Sequence, residues 1–181
     1  MADNIHIQLP DGSVKELPKG STALDVAKSI GPRLADAALA AKTNGDLIDL
    51  TRPLDKDTTL RILTEKDPEA LEVYRHSSAH LLAAAVLELF PETKLGHGPP
   101  TESGFFYDFY RPTPFTPEDL EKIEKKMQEL VQQNIPYARE FLPRDQGLAA
   151  FKNEGDFMKC HFIEQFTKPD EKISIYRTGK F

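Results

Sequence analysis

The sequence predicts an α+β fold in two domains, and three observations lead to that prediction. Short segments near the start of the chain alternate apolar and polar residues, which is typical of half-buried strands. Longer segments repeat apolar residues every three to four positions, which indicates helices with one buried side. A charged stretch that ends in a helix-starting proline, residues 65–68, separates the two regions. We therefore place the domains at residues 1–65 and 66–181.

The composition is that of a soluble globular protein. Its 181 residues, 39% of them hydrophobic, are enough for one or two cores. The net charge of -6 argues against a general attraction to phosphate, although a local basic patch is compatible with it. Cys160 is the only cysteine, which excludes an intramolecular disulfide and fits a reducing compartment. The start of the chain does not resemble a signal peptide, and no stretch is long and apolar enough for a membrane span, so we expect a cytoplasmic protein.

The first domain opens with a predicted hairpin. Residues 4–9 alternate apolar and polar side chains, residues 10–13 supply a Pro-Asp-Gly-Ser turn, and residues 14–17 form the return strand. Thr22 followed by Asp25 is typical of a capping box, in which each side chain satisfies the backbone N–H of the other residue. A helix is therefore predicted to begin there.

The order of the remaining elements favours a β-grasp module. The helix is predicted to end at Gly31-Pro32. Residues 38–42 and 47–50 predict a second hairpin around an Asn44-Gly45 turn, and residues 58–63 predict a last strand. Other compact α+β domains share this pattern, and the pattern alone does not separate them from a β-grasp.

The second domain begins with a helix predicted over residues 68–90. Its two histidines, His76 and His80, lie four residues apart and therefore one turn apart on the same face. The stripe expected to face the core is elsewhere on the helix: Leu71, Tyr74, Ser78, Leu81, Leu82, Ala85 and Leu89. The histidine face also carries apolar residues, which is typical of a pocket wall. Histidines opposite a core stripe can equally be solvated or hydrogen-bonded to a neighbouring element.

A glycine-rich loop precedes an aromatic segment in this domain. Residues 95–100 read Leu-Gly-His-Gly-Pro-Pro, and residues 103–110 predict an aromatic strand. Glycines such as Gly98 permit another group to approach the backbone closely. The segment is therefore either the floor of a ligand site or a turn that leads into a core strand.

The rest of the domain is predicted as helices and strands in succession. A helix begins at Thr116, and its buried stripe is Leu120, Ile123, Met127, Leu130 and Val131. Further elements are predicted at residues 137–142, 145–152, 156–163 and 173–181, the last being a strand that the chain leaves unfinished. Lys159 lies among apolar neighbours, where a lysine either borders a pocket or extends its ammonium to solvent.

Several motifs occur together in a fixed order. They are Arg75-His76-Ser77-Ser78-Ala79-His80-Leu81-Leu82, Gly98-Pro99-Pro100, Gly104-Phe105-Phe106-Tyr107-Asp108-Phe109 and Lys159. Together they resemble the amino-terminal region of the bacterial threonyl-tRNA synthetases, with residues 1–65 similar to its TGS β-grasp module and residues 66–181 to its editing domain. In that family a Cys-x3-His segment follows the last strand and completes the site. We therefore expect this chain to be an amino-terminal fragment whose editing domain is truncated at its carboxyl-terminal end.

The resemblance implies hydrolysis of serine that has been attached in error to threonine tRNA. A synthetic site shaped for threonine also admits serine, and one missing methyl supplies only about 1–3 kcal/mol of discrimination, so a second, hydrolytic pocket is needed. The implied catalytic residues are His76 and Lys159, which act on a water and on the developing oxyanion, and His80, which completes the pocket wall. Tyr107 and Gly98 are the implied substrate-binding residues.

The resemblance also implies cofactors and partners. It implies no metal and no cofactor for this fragment, because ATP, magnesium and zinc belong to the synthetic domain of the full-length enzyme. That enzyme would attach threonine to its tRNA as a homodimer. The fragment would be a monomer that binds no membrane and is a poor editing enzyme alone. It would also bind tRNA weakly, because it lacks the anticodon-binding domain.

Two other classes of protein fit part of the pattern. Histidines at positions i and i+4 have zinc-ligand spacing, so a zinc-dependent protein similar to the alanyl-tRNA editing proteins is one alternative, although a closed zinc site needs further ligands. The other alternative is a non-catalytic TGS-type binding or regulatory module, in which the histidines do no chemistry.

Overall fold

A computed structural model describes residues 3–179 of the chain. It contains helices together with antiparallel and mixed sheets, which confirms the predicted α+β class. The chain divides into two compact units, Met1–Arg75 and His76–Phe181. The division falls inside a continuous helix that begins at Pro68, so the domain boundary placed at residue 65 stays a prediction.

Five strands form the sheet of the first unit. They are β1 (Asn4–Gln8), β2 (Val14–Pro18), β3 (Ala38–Thr43), β4 (Asp46–Ile48) and β5 (Thr58–Thr64). Their order across the sheet is β2-β1-β5-β3-β4. β1 pairs antiparallel with β2 and parallel with β5, and β3 pairs antiparallel with both β4 and β5. Both predicted hairpins and the predicted last strand are therefore confirmed.

A capped helix packs against this sheet. α1 (Ala23–Ile30) begins at the predicted capping box, in which Thr22 and Asp25 each accept the backbone N–H of the other. The helix ends at Gly31, but a second short helix that was not predicted, α2 (Pro32–Ala37), follows at once. Proline suits the first position of a helix because its missing N–H would have no partner there. Gly31-Pro32 therefore marks both the end of α1 and the start of α2.

The core of the first unit lies between α1 and the sheet. Its buried side chains are Ile5, Ile7, Ala23, Val26, Ala41, Ile48, Leu54 and Leu60. The Asn44-Gly45 turn between β3 and β4 has φ angles of 48° and 94°, in a region that asparagine and glycine adopt more easily than other residues. The turn residues thus fix the register that points the β3 and β4 side chains into this core.

The helix that carries the histidines is confirmed, but its buried side differs from the predicted one. α3 spans Pro68–Leu89. Leu71 and Tyr74, which were predicted to face the core, are 42% and 59% exposed. The buried positions are alanines and one valine: Ala70, Ala79, Ala83, Ala84, Ala85 and Val86. The predicted core stripe was therefore wrong in the first turns of the helix.

Two separate cores explain the difference. Ala70 packs with Ala40 and Leu63 in the first unit. Val86 packs with Ile123 in the second unit. A helical wheel assumes one buried side along a whole helix, and that assumption fails when successive turns pack on different cores.

The second unit contains two small antiparallel sheets. β6 (Lys94–Leu95) pairs with β7 (Phe109–Tyr110), and β8 (Ala138–Pro143) pairs with β9 (Lys172–Arg177) along its full length. The aromatic strand predicted over residues 103–110 was wrong in extent, because only its last two residues belong to a strand. The predicted last strand ends at Arg177, and its final two residues, 180 and 181, lie outside the described part of the chain.

Three helices complete the second unit. They are α4 (Pro117–Gln132), α5 (Arg144–Asn153) and α6 (Phe157–Phe166). α4 buries Ile123, as predicted, but Leu120 and Val131 are 59% and 62% exposed, so the predicted stripe of this helix was too wide. α5, α6 and the β8–β9 sheet share a core formed by Leu148, Cys160, Ile163 and Ile173. Between residues 3 and 179, no helix is long and apolar enough to cross a membrane.

Candidate active site

Two histidine rings on α3 lie against each other. The Nε2 atoms of His76 and His80 are 3.2 Å apart, within hydrogen-bonding distance, and the ring centroids are 4.8 Å apart. Side chains at positions i and i+4 project from successive turns of a helix on the same face. A hydrogen bond between two imidazole nitrogens needs one N–H, so one ring donates and the other accepts.

Two tyrosines approach the histidine pair from other elements. The ring of Tyr176 on β9 lies 5.8 Å from that of His80 and 6.3 Å from that of His76. The ring of Tyr137, just before β8, lies 6.3 Å from that of His80. The Tyr137 hydroxyl donates a hydrogen bond of 2.9 Å to the carbonyl oxygen of Ser77. This bond ties the β8–β9 sheet to α3 beside the histidines, so sheet and helix are neighbouring walls of one site.

Burial sets the protonation state of His80. Its side chain is half-buried, whereas His76 is exposed. Loss of solvent lowers the pKa of His80 from 6.5 to about 4, and the positive charges of His76 and Lys159 act in the same direction. At neutral pH His80 is therefore an uncharged hydrogen-bonding group.

Lys159 enters the site from the first turn of α6. Asp156 caps this helix, and its Oδ1 accepts the backbone N–H of Lys159 at 3.0 Å. Burial lowers the pKa of the Lys159 ammonium below its usual value of 10.5, and the carboxylate of Asp156 opposes that shift. The charge of Lys159 contributes to the lowered pKa of His80, so the ammonium acts electrostatically on that histidine.

Tyr107 packs directly on Gly98. An ideal Cβ at position 98 would overlap the tyrosine ring, with its Cε2 at 2.6 Å and its Cγ at 2.8 Å. Tyr107 also stacks on Phe109, with centroids 5.1 Å apart and ring planes inclined by 19°. Burial raises the pKa of Tyr107 to about 12, and the charge of Asp156 acts in the same direction. The hydroxyl therefore remains a donor at neutral pH.

The five residues that were predicted for the site lie in one part of the second unit. His76, His80 and Lys159 are linked by contact and charge, as described above. The carboxylate of Asp156 acts on both Lys159 and Tyr107, and Tyr107 packs on Gly98. The structure thus brings the candidates together, and their roles in catalysis and binding stay predictions.

Three residues of the site were not predicted: Tyr137, Asp156 and Tyr176. A signal for Asp156 was present, because an aspartate just before a predicted helix is a favoured cap. Tyr137 and Tyr176 lack such a local signal. They approach the histidines only because β8 and β9 pair with each other, and sequence patterns do not specify the pairing of distant strands.

The described residues do not offer a metal site. Within residues 3–179, no three His, Cys, Asp or Glu side chains gather in a way that could hold a metal ion. Closed zinc sites use four ligands and catalytic sites three. The positive charge of Lys159, which acts on His80, would also oppose a second cation. The zinc-dependent alternative is therefore not favoured by this arrangement.

Comparisons with known proteins cover both units. Residues 5–64 match the TGS domain family. The chain is 54% identical to a threonine-tRNA ligase of Acidobacterium capsulatum, in a match over 100% of this chain and 31% of that protein. It is 48% identical to the ligase of Symbiobacterium thermophilum, over 100% of this chain and 28% of that protein. A third ligase, from Aromatoleum aromaticum, is 51% identical over 97% of this chain and 27% of that protein.

The chain therefore spans less than a third of the length of these curated relatives. The TGS match accounts for the sheet and the capped helix of the first unit, and the longer matches extend through the second unit. Over its whole length the chain is similar to the amino-terminal region of these threonine-tRNA ligases, and residues 5–64 match the TGS domain family.

Proposed function

We propose that the second unit is an editing site that hydrolyses serine attached in error to threonine tRNA. The observation that carries this proposal is the convergence of His76, His80 and Lys159 in a partly desolvated site. The similarity of the whole chain to threonine-tRNA ligases supports the choice of substrate. We assign the ATP-dependent attachment of threonine to the full-length ligase and not to this region.

The proposed reaction is attack of a water molecule on the carbonyl carbon of the seryl ester. A bond forms between the water oxygen and that carbon, and the bond to the ribose oxygen then breaks. The proton that leaves the water passes to an imidazole and from there to the ribose oxygen. Negative charge develops on the carbonyl oxygen during the attack, and the ammonium of Lys159 would stabilise it.

The surroundings of the two histidines favour different roles for them. A base is most effective when its pKa is near the working pH, and the pKa of His80, at about 4, is well below that. We therefore assign activation of the water to the exposed His76. His80 would orient His76 through the 3.2 Å contact between their Nε2 atoms.

Tyr107 and Gly98 are proposed to exclude threonine. Serine and threonine differ by one methyl group, and a second sieve rejects the larger substrate by leaving no room for it. Tyr107 is packed between the backbone at Gly98 and the ring of Phe109, so it cannot move aside without disturbing both. Such a sieve requires a wall that the extra methyl group of threonine cannot push aside.

The proposed partner is threonine tRNA, bound mainly by the full-length ligase. We propose that the full-length protein is a cytoplasmic homodimer and that the 181-residue chain alone is a monomer. Light scattering of both proteins measures this directly. The chain alone carries a net charge of -6, so it should attract the phosphates of tRNA weakly.

Single-turnover deacylation of seryl-tRNA tests the proposal. The chain would be joined to the remainder of the Symbiobacterium thermophilum ligase, because the match to that protein covers all of this chain. We expect His76→Ala and Lys159→Ala to slow hydrolysis by about 100-fold or more. His6→Ala, which removes an exposed histidine of the first unit, should leave the rate unchanged. The isolated chain should be slower than the chimera.

Two results would overturn the proposal. One is a chimera that charges threonine tRNA normally but does not hydrolyse seryl-tRNA, which would favour a non-catalytic binding module. The other is full hydrolytic activity in both alanine variants, which would separate the reaction from these residues.

A further inference from the structure

One acidic residue caps the helix that carries Lys159, acts electrostatically on Tyr107, and has no role in the proposed reaction. Asp156 lies between α5 and α6. Its backbone N–H donates to the carbonyl oxygen of Phe151 at 2.9 Å, and its own carbonyl accepts the N–H of Cys160 at 3.2 Å. Asp156 is thus anchored to the end of one helix and to the start of the next.

The side chain of Asp156 fixes the backbone of Lys159. Its Oδ1 accepts the Lys159 N–H at 3.0 Å, as the cap of α6. The first turn of a helix has N–H groups without partners in the helix, and a capping side chain holds that turn in place. Because Lys159 is the residue whose N–H is capped, the direction in which its side chain leaves the helix depends on this bond.

The same side chain is a source of negative charge for the site. Lys159 is partly buried, and burial disfavours a charged ammonium unless an opposite charge lies nearby. The carboxylate of Asp156 favours the charged form of the Lys159 ammonium. That ammonium in turn acts on His80, whose pKa is also lowered by His76, and the carboxylate of Asp156 acts on Tyr107 as well.

We propose that Asp156 is a positioning residue, which aims Lys159 into the site through the helix cap and keeps its ammonium protonated through the charge of the carboxylate. The inference rests on the proposed function in one respect, because it assigns to Lys159 a role in stabilising the oxyanion. Burial raises the pKa of Tyr107 and the charge of Asp156 acts in the same direction, so one carboxylate acts on two site residues on different segments.

The charge and the cap can be separated by substitution. Asparagine and serine are good caps without a charge, whereas alanine supplies neither. In Asp156→Asn and Asp156→Ser the start of α6 should therefore stay formed while the negative charge is lost. Asp156→Ala should also loosen the first turn. Asp145→Asn is the matched control. It makes the same change in net charge, and the side chain of Asp145 is 88% exposed.

The first experiment measures Lys159 directly in the 181-residue chain. The protein is labelled with ¹³C at the lysine Cε atoms, the Lys159 signal is assigned by its loss in Lys159→Arg, and the signal is followed against pH. We expect both uncharged caps to move the pKa of Lys159 further down, and Asp145→Asn to leave it in place. An unchanged Lys159 titration in Asp156→Asn or in Asp156→Ser, with the helix amide signals retained, would overturn the inference.

The second experiment measures the reaction in the chimera. If Lys159 must be charged, the decline in rate at alkaline pH should begin at lower pH in Asp156→Asn than in the parent. A loss of equal size at every pH would indicate a merely structural role and would contradict the charge part of the inference. A parent chimera without deacylase activity would refute the proposed function, and the lysine titration would still decide the role of Asp156.

Discussion

A single methyl group at position 98 should deform the proposed sieve. Gly98 is not required for its backbone conformation, but an ideal Cβ there would lie 2.6 Å from Cε2 and 2.8 Å from Cγ of Tyr107. Carbon atoms in ordinary contact are about 3.5–4.0 Å apart, so the ring must retreat by roughly 1 Å. Tyr107 is stacked on Phe109, which in turn packs against the core around Ile123.

The cost of Gly98→Ala follows from this packing. Overpacking of a well-filled region typically destabilises a protein by about 1–3 kcal/mol, and we expect a loss in that range. The assay is urea unfolding followed by circular dichroism and by tyrosine fluorescence, which is informative because the chain has no tryptophan. In the chimera, the same variant should slow deacylation of seryl-tRNA because the displaced ring enters the space for the substrate.

Gly104→Ala is the matched control in the same loop. No atom lies within 4 Å of an ideal Cβ at Gly104, so that substitution should be neutral, or stabilising by up to about 1 kcal/mol through a less flexible unfolded chain. In Gly98→Ala/Tyr107→Ala the methyl group has no ring to displace, so the two costs should not add. Equal stability of Gly98→Ala and Gly104→Ala would refute the close packing, and so would additive costs in the double variant.

Three further variants test the surroundings of the histidines. The pKa of His80 is about 4 in the folded protein, against its ordinary value of 6.5 in an unfolded chain. Between pH 6.5 and pH 4 His80 is therefore protonated in the unfolded chain but not in the folded protein. The free energy of unfolding should therefore fall as pH drops from 6.5 towards 4, and His80→Gln should flatten that slope in thermal melts. Tyr137→Phe removes the hydrogen bond to the carbonyl oxygen of Ser77 and should lower the free energy of unfolding in urea by about 0.5–1.5 kcal/mol. Tyr110→Phe, at an exposed tyrosine, is the control and should leave it unchanged. Equal effects of the two substitutions would contradict a stabilising Tyr137–Ser77 bond. Lys159→Met removes a positive charge near His80 and should raise the pKa of that histidine in an NMR titration; an unchanged value would place the lysine outside the site.

Features that depend on residues close in sequence could be predicted. The capping box at Thr22 and the helix start at Thr116 were both identified from residue types within one turn of chain, and both starts are capping boxes in the structure. The Asn44-Gly45 turn was identified in the same way. These features are stabilised by contacts within one turn of chain, so the sequence pattern contains all the information that they need.

Features that depend on distant contacts could not be predicted. Leu71 and Tyr74 have the helical spacing of core residues, yet they are exposed, because the first turns of α3 bury Ala70 against Ala40 and Leu63. Small side chains allow close approach of backbones, and a wheel weighted by hydrophobicity gives them too little importance.

The candidate site also contains both kinds of feature, those set by residues close in sequence and those set by distant contacts. His76 and His80 could be paired from their spacing alone, because one helix holds both. Tyr176 reaches them only through the register of β9 on β8, where it is paired with Arg139. Tyr107 was identified from a resemblance, and Lys159 from its apolar neighbours together with that resemblance. The effect of Asp156 on both residues required the structure.

The most direct test of the proposed editing function is the ratio of two hydrolysis rates. The chimera would be mixed in single turnover with seryl-tRNA and, separately, with threonyl-tRNA on the same threonine tRNA. Discrimination by one methyl group is worth about 10–200-fold, and we expect the seryl ester to be hydrolysed faster by a factor in that range. Hydrolysis of the threonyl ester at an equal or higher rate would show that the pocket is not a sieve for serine and would contradict the proposed function.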